Sequence, residues 1–223
     1  MLILGIDDSG RGPIIGPMVL AGCLIKEEMN QEFKAQGVKD SKKLTTRRRR
    51  FLAKYIKEKA LAYHIVQVTP VEIETRLKAG VNLNKLEAIK AAEIINVLNK
   101  GTEPIKVILD CPSPNKEAWK SYLMKFVSKK ENLEFIVEHK ADVNYPSVSA
   151  ASILAKTTRD SEIEKIKKQV GVDFGSGYPS DPITCKFLKE YSEKHKNDGI
   201  FRKTWQTWKD LCSKKEQKNL GEF

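Results

Sequence analysis

Three features of the sequence predict an α/β fold: a five-stranded mixed sheet flanked by helices, with a helical C-terminal extension. Five short apolar runs read as buried strands. The first three are separated by little or no helix, which predicts an antiparallel meander. The last two each follow a helix, which predicts parallel crossovers.

Taken in order, Leu2-Ile3-Leu4-Gly5-Ile6 is an apolar run that ends in Asp7, Asp8 and the turn Gly10-Arg11-Gly12-Pro13. Gly16-Pro17 restarts the backbone, and Met18 to Ile25 is the second strand. Met29 to Gln36 is a short polar helix closed by Gly37. Asp40 to Leu44 is a loop, and Thr45 or Thr46 caps a helix with Phe51, Leu52, Tyr55 and Ile56 on its apolar side. The run Arg47 to Arg50 reads first as a solvated face and second as a nucleic-acid contact. Ala62 to Val68 is the third strand, and Thr69-Pro70 opens a short helix with proline in its first turn. The spacing of Leu83, Leu86, Ile89, Ile94, Val97 and Leu98 predicts a helix over 82–98, stopped at Lys100-Gly101. Ile105 to Asp110 is a strand that again ends in an acid. Cys111-Pro-Ser-Pro114 breaks the chain, and a helix is expected from there to Lys130. Leu133 to Val137 is the fifth strand, followed by Glu138-His-Lys-Ala-Asp142. Pro146 opens a helix expected to reach Gln169. Gly175 to Pro182 is a loop, two further helices follow, and the polar run Ser213 to Asn219 reads as a mobile tail. By role the chain divides into a catalytic domain over 1–182, a helical extension over 183–212 and a tail over 213–223.

The 223 residues suffice for one well-packed domain with appendages, and 40% hydrophobic with 31% charged residues is ordinary for a soluble protein. Forty Lys and Arg against 29 Asp and Glu leave a net charge of +11, which favours a polyanionic partner, nucleic acid first. No run approaches the roughly 20 apolar residues of a membrane span. The apolar start is too short, and lacks the basic flank, for a signal peptide. Cys23, Cys111, Cys185 and Cys212 lack C-x-x-C spacing and, with three scattered histidines, make no zinc pattern. Scattered thiols suit a reducing compartment. The expectation is a cytoplasmic monomer with no membrane partner.

The chemistry belongs with the acids. Ligands of mixed α/β sheets gather at the carboxyl ends of parallel strands. Asp7 ends the first strand, Asp110 ends the fourth and Asp142 lies just past the fifth. Carboxylates without His or Cys partners suit a hard cation, Mg²⁺ or Mn²⁺. Combined with the basic chain, they predict metal-assisted phosphodiester hydrolysis. A glycosidase could also use paired acids, but it would not need the positive charge. Gly10-Arg11-Gly12 is not a dinucleotide fingerprint, because the third glycine comes one residue late and Pro13 removes an N–H. A glycine-flanked Arg instead lets backbone amides and a guanidinium approach a sugar-phosphate closely.

Gly5-Ile-Asp-Asp-Ser-Gly-Arg-Gly-Pro13-x-x-Gly16-Pro17 resembles the signature of ribonuclease HII, the type 2 ribonucleases H. The likeness continues through Asp40-Ser-Lys-Lys-Leu44, Glu138 to Asp142, Ser149-Ala-Ala-Ser152-Ile-Leu-Ala-Lys156, Gly175-Ser-Gly-Tyr-Pro-Ser-Asp181 and Arg202-Lys-x-Trp205, in order, and its last loop and tail look archaeal in type. The resemblance implies a ribonuclease H-like fold. The implied activity is endonucleolytic cleavage of RNA in RNA·DNA hybrids and 5′ to ribonucleotides embedded in duplex DNA, leaving a 3′-hydroxyl. It also implies roles by position. Asp7, Asp8, Asp110 and Asp142 match the metal-binding acids, and Gly10, Arg11 and Gly12 match the group that senses the ribose 2′-hydroxyl. Tyr178 matches a tyrosine stacking on the sugar 3′ of the cut, and Lys42 and Lys43 match a phosphate-contacting loop. Ser149, Ser152, Lys156 and Arg159 fall on one helical stripe where a phosphate could be held. One position departs from the family pattern. The family carries Glu after the first Asp, and here Asp8 stands one methylene shorter, which predicts water-mediated metal contact. Alternation along a strand lets Asp8 reach the metal only if the strand kinks. The tail Gln217-x-x-Leu220-x-x-Phe223 resembles a sliding-clamp-binding box.

Overall fold

The computed structural model describes residues 1–39, 41 and 44–220, with side chains described as far as 213. They form two compact units that interleave along the chain. The first comprises Met1–Ser9, Val19–Gln67 and Asn82–Thr158; the second comprises Gly10–Met18, Val68–Val81 and the chain from Arg159 onward. These units are defined by packing, whereas the division at 182 and 212 is one of expected role.

The five strands are β1 (Leu2–Ser9), β2 (Met18–Lys26), β3 (Ala62–Val68), β4 (Ile105–Asp110) and β5 (Leu133–Glu138), in the sheet order β3-β2-β1-β4-β5. β1 runs antiparallel to β2 and parallel to β4, which is parallel to β5. The expected mixed sheet is present, but not for all the reasons expected: two helices stand between β2 and β3, so of the first three strands only β1 and β2 follow each other without a helix. The helices are α1 (Met29–Ala35), α2 (Thr46–Lys59), α3 (Pro70–Lys78), α4 (Leu83–Leu98), α5 (Lys116–Leu123), α6 (Ala141–Asn144), α7 (Pro146–Val170), α8 (Pro182–Tyr191) and α9 (Gln206–Leu220). Polar side chains start them where the sequence places caps. Thr45, Thr69, Asn82 and Asn115 each accept the backbone N–H three residues on. No described helix is long and apolar enough to cross a membrane, and the four cysteines form no disulfide.

Four boundaries depart from expectation, the first being that α9 continues to Leu220 through the polar run Ser213 to Asn219, expected to be a mobile tail. β1 does not end at Asp7: its parallel pairing stops at Ile6↔Leu109, while its antiparallel pairing runs on through Asp8↔Leu20 to Ser9↔Val19. The helix expected to reach Lys130 stops at Leu123. Asn96 of α4 bonds the Phe126 carbonyl and the Ser128 amide, and Asn99 bonds the Lys129 carbonyl, so this segment's backbone is captured by side chains in place of a helical ladder. The single turn α6 lies between Lys140, in the left-handed region at φ 57°, and Pro146.

In the first unit, residues of one parity on β2 (Val19, Ala21, Cys23, Ile25) join Ile3 and Ile108. This face packs against Phe33 of α1, Leu52, Ala53 and Ile56 of α2, and Val148, Ala151 and Ile153 of α7. α7 comes so close that a Cβ on Gly5 would sit 2.2 Å from the Ser147 carbonyl carbon. On the other parity, Gly22 faces Ile94 and Leu98 of α4. The second unit has its own core of Ile14, Ile15, Ile163, Val170, Phe174, Phe187, Phe201 and Trp208. Its rings approach to centroid separations of 4.8 Å for Phe201–Trp208 and 5.5 Å for Phe174–Phe187.

Glycine at position 5 is therefore a packing requirement. Gly5→Ala should cost about 1–3 kcal/mol by overpacking, lowering Tm by about 3–10 °C in a chain of this length. A calorimetric melt unchanged by the substitution would show that the helix is free to retreat.

Candidate active site

In the first unit the carboxyl ends of β1 and β4 lie side by side, because Ile6↔Leu109 is their last pair and Asp7 and Asp110 follow it. The ladder to β5 continues through Asp110↔Glu138, and the Cys111 amide donates to the Glu138 carbonyl at 2.8 Å. Asp110 Oδ1 accepts the Ala141 amide at 3.2 Å, which fixes the start of α6 and so the backbone of Asp142. Asp7 and Asp142 are both buried.

Burial raises the pKa of Asp7 well above the usual carboxylate range, and the charges of Asp8 and then Asp110 push it further. Hydrogen bonds from Ser152 and from the Asp8 amide, which reaches Oδ1 at 2.7 Å, oppose the shift. Ser152 Oγ lies 2.9 Å from Ser41 Oγ. The Ser41 carbonyl accepts Arg49 Nη1 at 2.8 Å, and Arg49 also holds the Leu44 carbonyl at 3.0 Å. A buried arginine of α2 thus anchors the serine pair behind Asp7. Asp8 interacts electrostatically with Asp7, but the unbroken pairing of β1 supplies no kink, so strand alternation assigns the two side chains to opposite faces. Ser149 is buried and donates to the Asp142 carbonyl at 2.5 Å. The hydroxyls of Ser149 and Ser152 are thus engaged by protein groups, and Lys156 is half-buried.

Among the described residues, no three His, Cys, Asp or Glu side chains stand as a ready-made metal cage. The donor chemistry nevertheless fits a hard divalent cation. Every candidate ligand is a carboxylate oxygen, and the crowding of negative charge that raises Asp7 is what such an ion would reverse. The fold fixes the charge and its address, not a closed coordination shell.

The second unit contains Gly10-Arg11-Gly12, Arg159 and Tyr178. Gly10 has φ 91°, and a Cβ there would meet Arg159 Cδ at 2.4 Å. Arg202, fully buried, donates from Nη2 to the carbonyls of Gly10 (2.7 Å) and Gly16 (2.9 Å), from Nη1 to Arg11 (2.8 Å) and from Nε to Gly16 (3.0 Å). Its guanidinium lies 5.0 Å from the centroid of Trp205, whose Nε1 donates to the Gly12 carbonyl at 3.2 Å. Two side chains therefore clamp the carbonyls of the whole turn. The Tyr178 ring is 36% exposed, and a Cβ on Gly12 would lie 3.3 Å from its Cε1. Arg159 is buried with its guanidinium 5.5 Å from that ring's centroid, and it reaches the Ser176 carbonyl at 3.3 Å. Burial lowers its pKa, against the opposing pull of Tyr178 and Asp160. Asp181 accepts the Ser176 amide and hydroxyl, both at 2.7 Å, and the Ile183 amide at 2.9 Å, which ties down the loop carrying Tyr178.

The structure thus brings Asp7, Asp8 and Asp110 together, sets Asp142 on the element that Asp110 anchors, and groups Gly10, Gly12, Arg159 and Tyr178. Lys42, Lys43 and Phe223, and the side chains of Gln217 and Leu220, lie outside the described residues. Sequence reasoning assigned no role to Ser41, Arg202, Trp205 or Asp181, and it read Arg49, within the run Arg47 to Arg50, as part of a solvated face, whereas Arg49 is buried. Their signal was present for Arg202, Trp205 and Asp181, which sit in short motifs rich in Gly, Tyr and Trp.

A family model described as Ribonuclease HII matches residues 4–208. The ribonuclease HII of Pyrococcus furiosus is 44% identical to this chain, over all of it and 98% of that protein. The crystal structure of the ribonuclease H2 from Pyrococcus horikoshii OT3 superposes with a TM-score of 0.84 at 40% identity, covering 95% of this chain and 97% of that one. The ribonuclease HII in a structure of the PCNA:RNase HII complex from Archaeoglobus fulgidus gives 0.81 at 36% identity, covering 92% and 96%.

Because the pKa of Asp7 is higher in the folded than in the unfolded chain, the folded state binds more protons between the two values, and stability falls as pH rises through that window. Asp7→Asn removes this penalty. In chelator, the variant should melt above the wild type at pH 7.5, with the gap closing as the pH drops towards about 4. Divalent ions should then raise the wild-type Tm more than that of the variant. A variant that melts below the wild type at neutral pH, with a gap insensitive to pH, would remove the charge-crowding account.

Proposed function

Because this chain belongs to the ribonuclease HII family, and is thus an endoribonuclease acting on the RNA strand of RNA·DNA hybrids, we propose that it also cuts 5′ to ribonucleotides embedded in duplex DNA, using Mg²⁺ or Mn²⁺ held by Asp7, Asp110 and Asp142, with Asp8 adding negative charge beside Asp7 in place of a ligand oxygen. The observation that carries the metal assignment is the crowding of Asp8 and Asp110 around the buried Asp7. The net charge of +11 supports a polyanionic substrate.

In the proposed reaction, a water oxygen bonds to phosphorus and the bond from phosphorus to the 3′-oxygen breaks, with the water's protons shared between the products. The products are a 3′-hydroxyl and a 5′-phosphate. When bound, the cation would supply activation of that water and stabilisation of the departing oxygen. The protein's share is placement. Ser152 and the Asp8 amide orient the Asp7 carboxylate. Arg202 and Trp205 hold the carbonyl side of the Gly10-Arg11-Gly12 turn, and on this reading the turn's amide groups, with Arg11, meet a 2′-hydroxyl. Gly12 leaves room for a sugar beside Tyr178, whose ring rests on Arg159. On this reading Arg159 supports the ring rather than a phosphate. Ser149 and Ser152 likewise act from inside the protein. Lys42, Lys43 and Lys156 contact phosphates, and Gln217, Leu220 and Phe223 dock on a sliding clamp, as the Archaeoglobus fulgidus complex with PCNA supports. The enzyme works as a cytoplasmic monomer.

A duplex carrying one ribonucleotide, incubated with Mg²⁺ or Mn²⁺, should be cut 5′ to the ribose. Asp7→Asn and Asp110→Asn should each slow turnover by about a thousandfold, or about 4 kcal/mol of barrier. Wild-type rates in either variant would sink the metal assignment. Separately, calorimetry should detect clamp binding by the full chain and lose it on deletion of residues 215–223; affinity that survives the deletion would refute the tail's role.

A further inference from the structure

The run Arg47 to Arg50 opens α2, which carries Arg47, Arg48, Arg49, Arg50, Lys54, Lys57 and Lys59 against Glu58 alone. The structure divides the labour within it. Arg49 turns inward to the Ser41 and Leu44 carbonyls. Arg48 is bound to the Gln36 carbonyl and lies 5.0 Å from the centroid of Phe51. Arg47 and Arg50 are exposed and make no hydrogen bond or ion pair among the described residues. Lys54 meets Glu58 at 3.9 Å, a pair with both side chains mostly in water and hence of little strength. Lys57 stands 5.6 Å from the centroid of the exposed Tyr63.

Arg47, Arg50, Phe51, Lys54 and Lys57 follow one another at intervals of three, one, three and three residues, so they share the outward face of α2 over about 15 Å. Two aspects of this face are costly in isolation. Phe51 is 54% exposed although the core beneath α2 takes Leu52, Ala53 and Ile56. Cations also crowd the first turn of a helix with no acid there, against the macrodipole. Local rules broken together on one face point to a use outside the fold.

We propose that the outward face of α2 is a second nucleic-acid contact, which takes the single-stranded flank of a substrate by pairing Arg47, Arg50 and Lys54 with successive phosphates and stacking an unpaired base on Phe51. Charge identifies a polyanion, and the aromatic among the cations selects single strands, because the bases of a duplex flank are already stacked on one another while an unpaired base offers its face. Arg48 steadies the ring from the protein side.

The test uses all-DNA ligands in EDTA, so it does not depend on hydrolysis or on the carboxylate site. Fluorescence anisotropy with the full chain should show tighter binding to a duplex bearing a dT tail than to the same duplex with blunt ends. Arg47→Ala/Arg50→Ala should lower the slope of log affinity against log salt for oligo-dT by about 1.4, about 0.7 for each phosphate that is no longer neutralised. Phe51→Ala should weaken the tailed duplex by about tenfold and leave the slope unchanged. Circular-dichroism melts establish that both variants are folded. Equal wild-type affinity for tailed and blunt duplexes, or a tail preference that survives both variants, overturns the proposal. So does displacement of oligo-dT by poly-glutamate that is indifferent to Phe51→Ala, which would mark the face as a site for acidic protein.

Discussion

A carboxylate withheld from water beside two more acids is the constraint around which the first unit is arranged. Burying an unpaired charge costs several kcal/mol, and the fold answers with a sequence of polar contacts running inward from Asp7. Ser152 bonds the carboxylate, Ser41 meets Ser152, and the guanidinium of Arg49 holds the Ser41 backbone. Each member would be an unsatisfied buried group without the next, so the series stands or falls together. The surrounding apolar packing of β1, β2, α2 and α7 gives that series a low-dielectric setting in which a cation would be strongly attracted.

The second unit solves the converse problem. A fully buried guanidinium is satisfied by main-chain carbonyls at Gly10, Arg11 and Gly16. The shape of the turn is thereby set by backbone geometry, and glycine is required at Gly10, where φ is 91° and a Cβ would strike Arg159. In the role proposed for this turn, recognition built on backbone atoms would read the sugar and phosphate shared by all nucleotides, not the base. That would suit a ribonuclease that tells RNA from DNA by the 2′-hydroxyl.

Much of this was legible in advance. Ala62–Val68 and Ile105–Asp110 stand as strands with the bounds their apolar runs suggested, because a short buried strand flanked by turn residues carries its own signal. Asp7 and Asp110 were legible as acids near strand ends. Their adjacency rests on the register Ile6↔Leu109, which no local pattern encodes. The overlong helix after Pro114 shows the limit of propensity: Asn96 and Asn99, about thirty residues upstream, decide where that backbone bonds. The roles of Arg202 and Arg49 were hidden for the same reason. An arginine in a basic chain is read as surface charge until its buried partners are known.

The Arg202 clamp also has a consequence for the order of events during synthesis. The Arg11 carbonyl that it holds lies 191 residues earlier in the chain. When synthesis has passed α6, every acid of the candidate site has been made, yet the turn that follows Asp8 still lacks its clamp. Closing so long a loop costs entropy, which the second unit's aromatic core must offset before the turn can settle. If the acids and the turn carry the roles proposed for them, a nascent or C-terminally truncated chain would thus possess its chemistry before its selectivity. On the proposed roles, the residue that fixes the selecting turn is made after every residue that carries the chemistry.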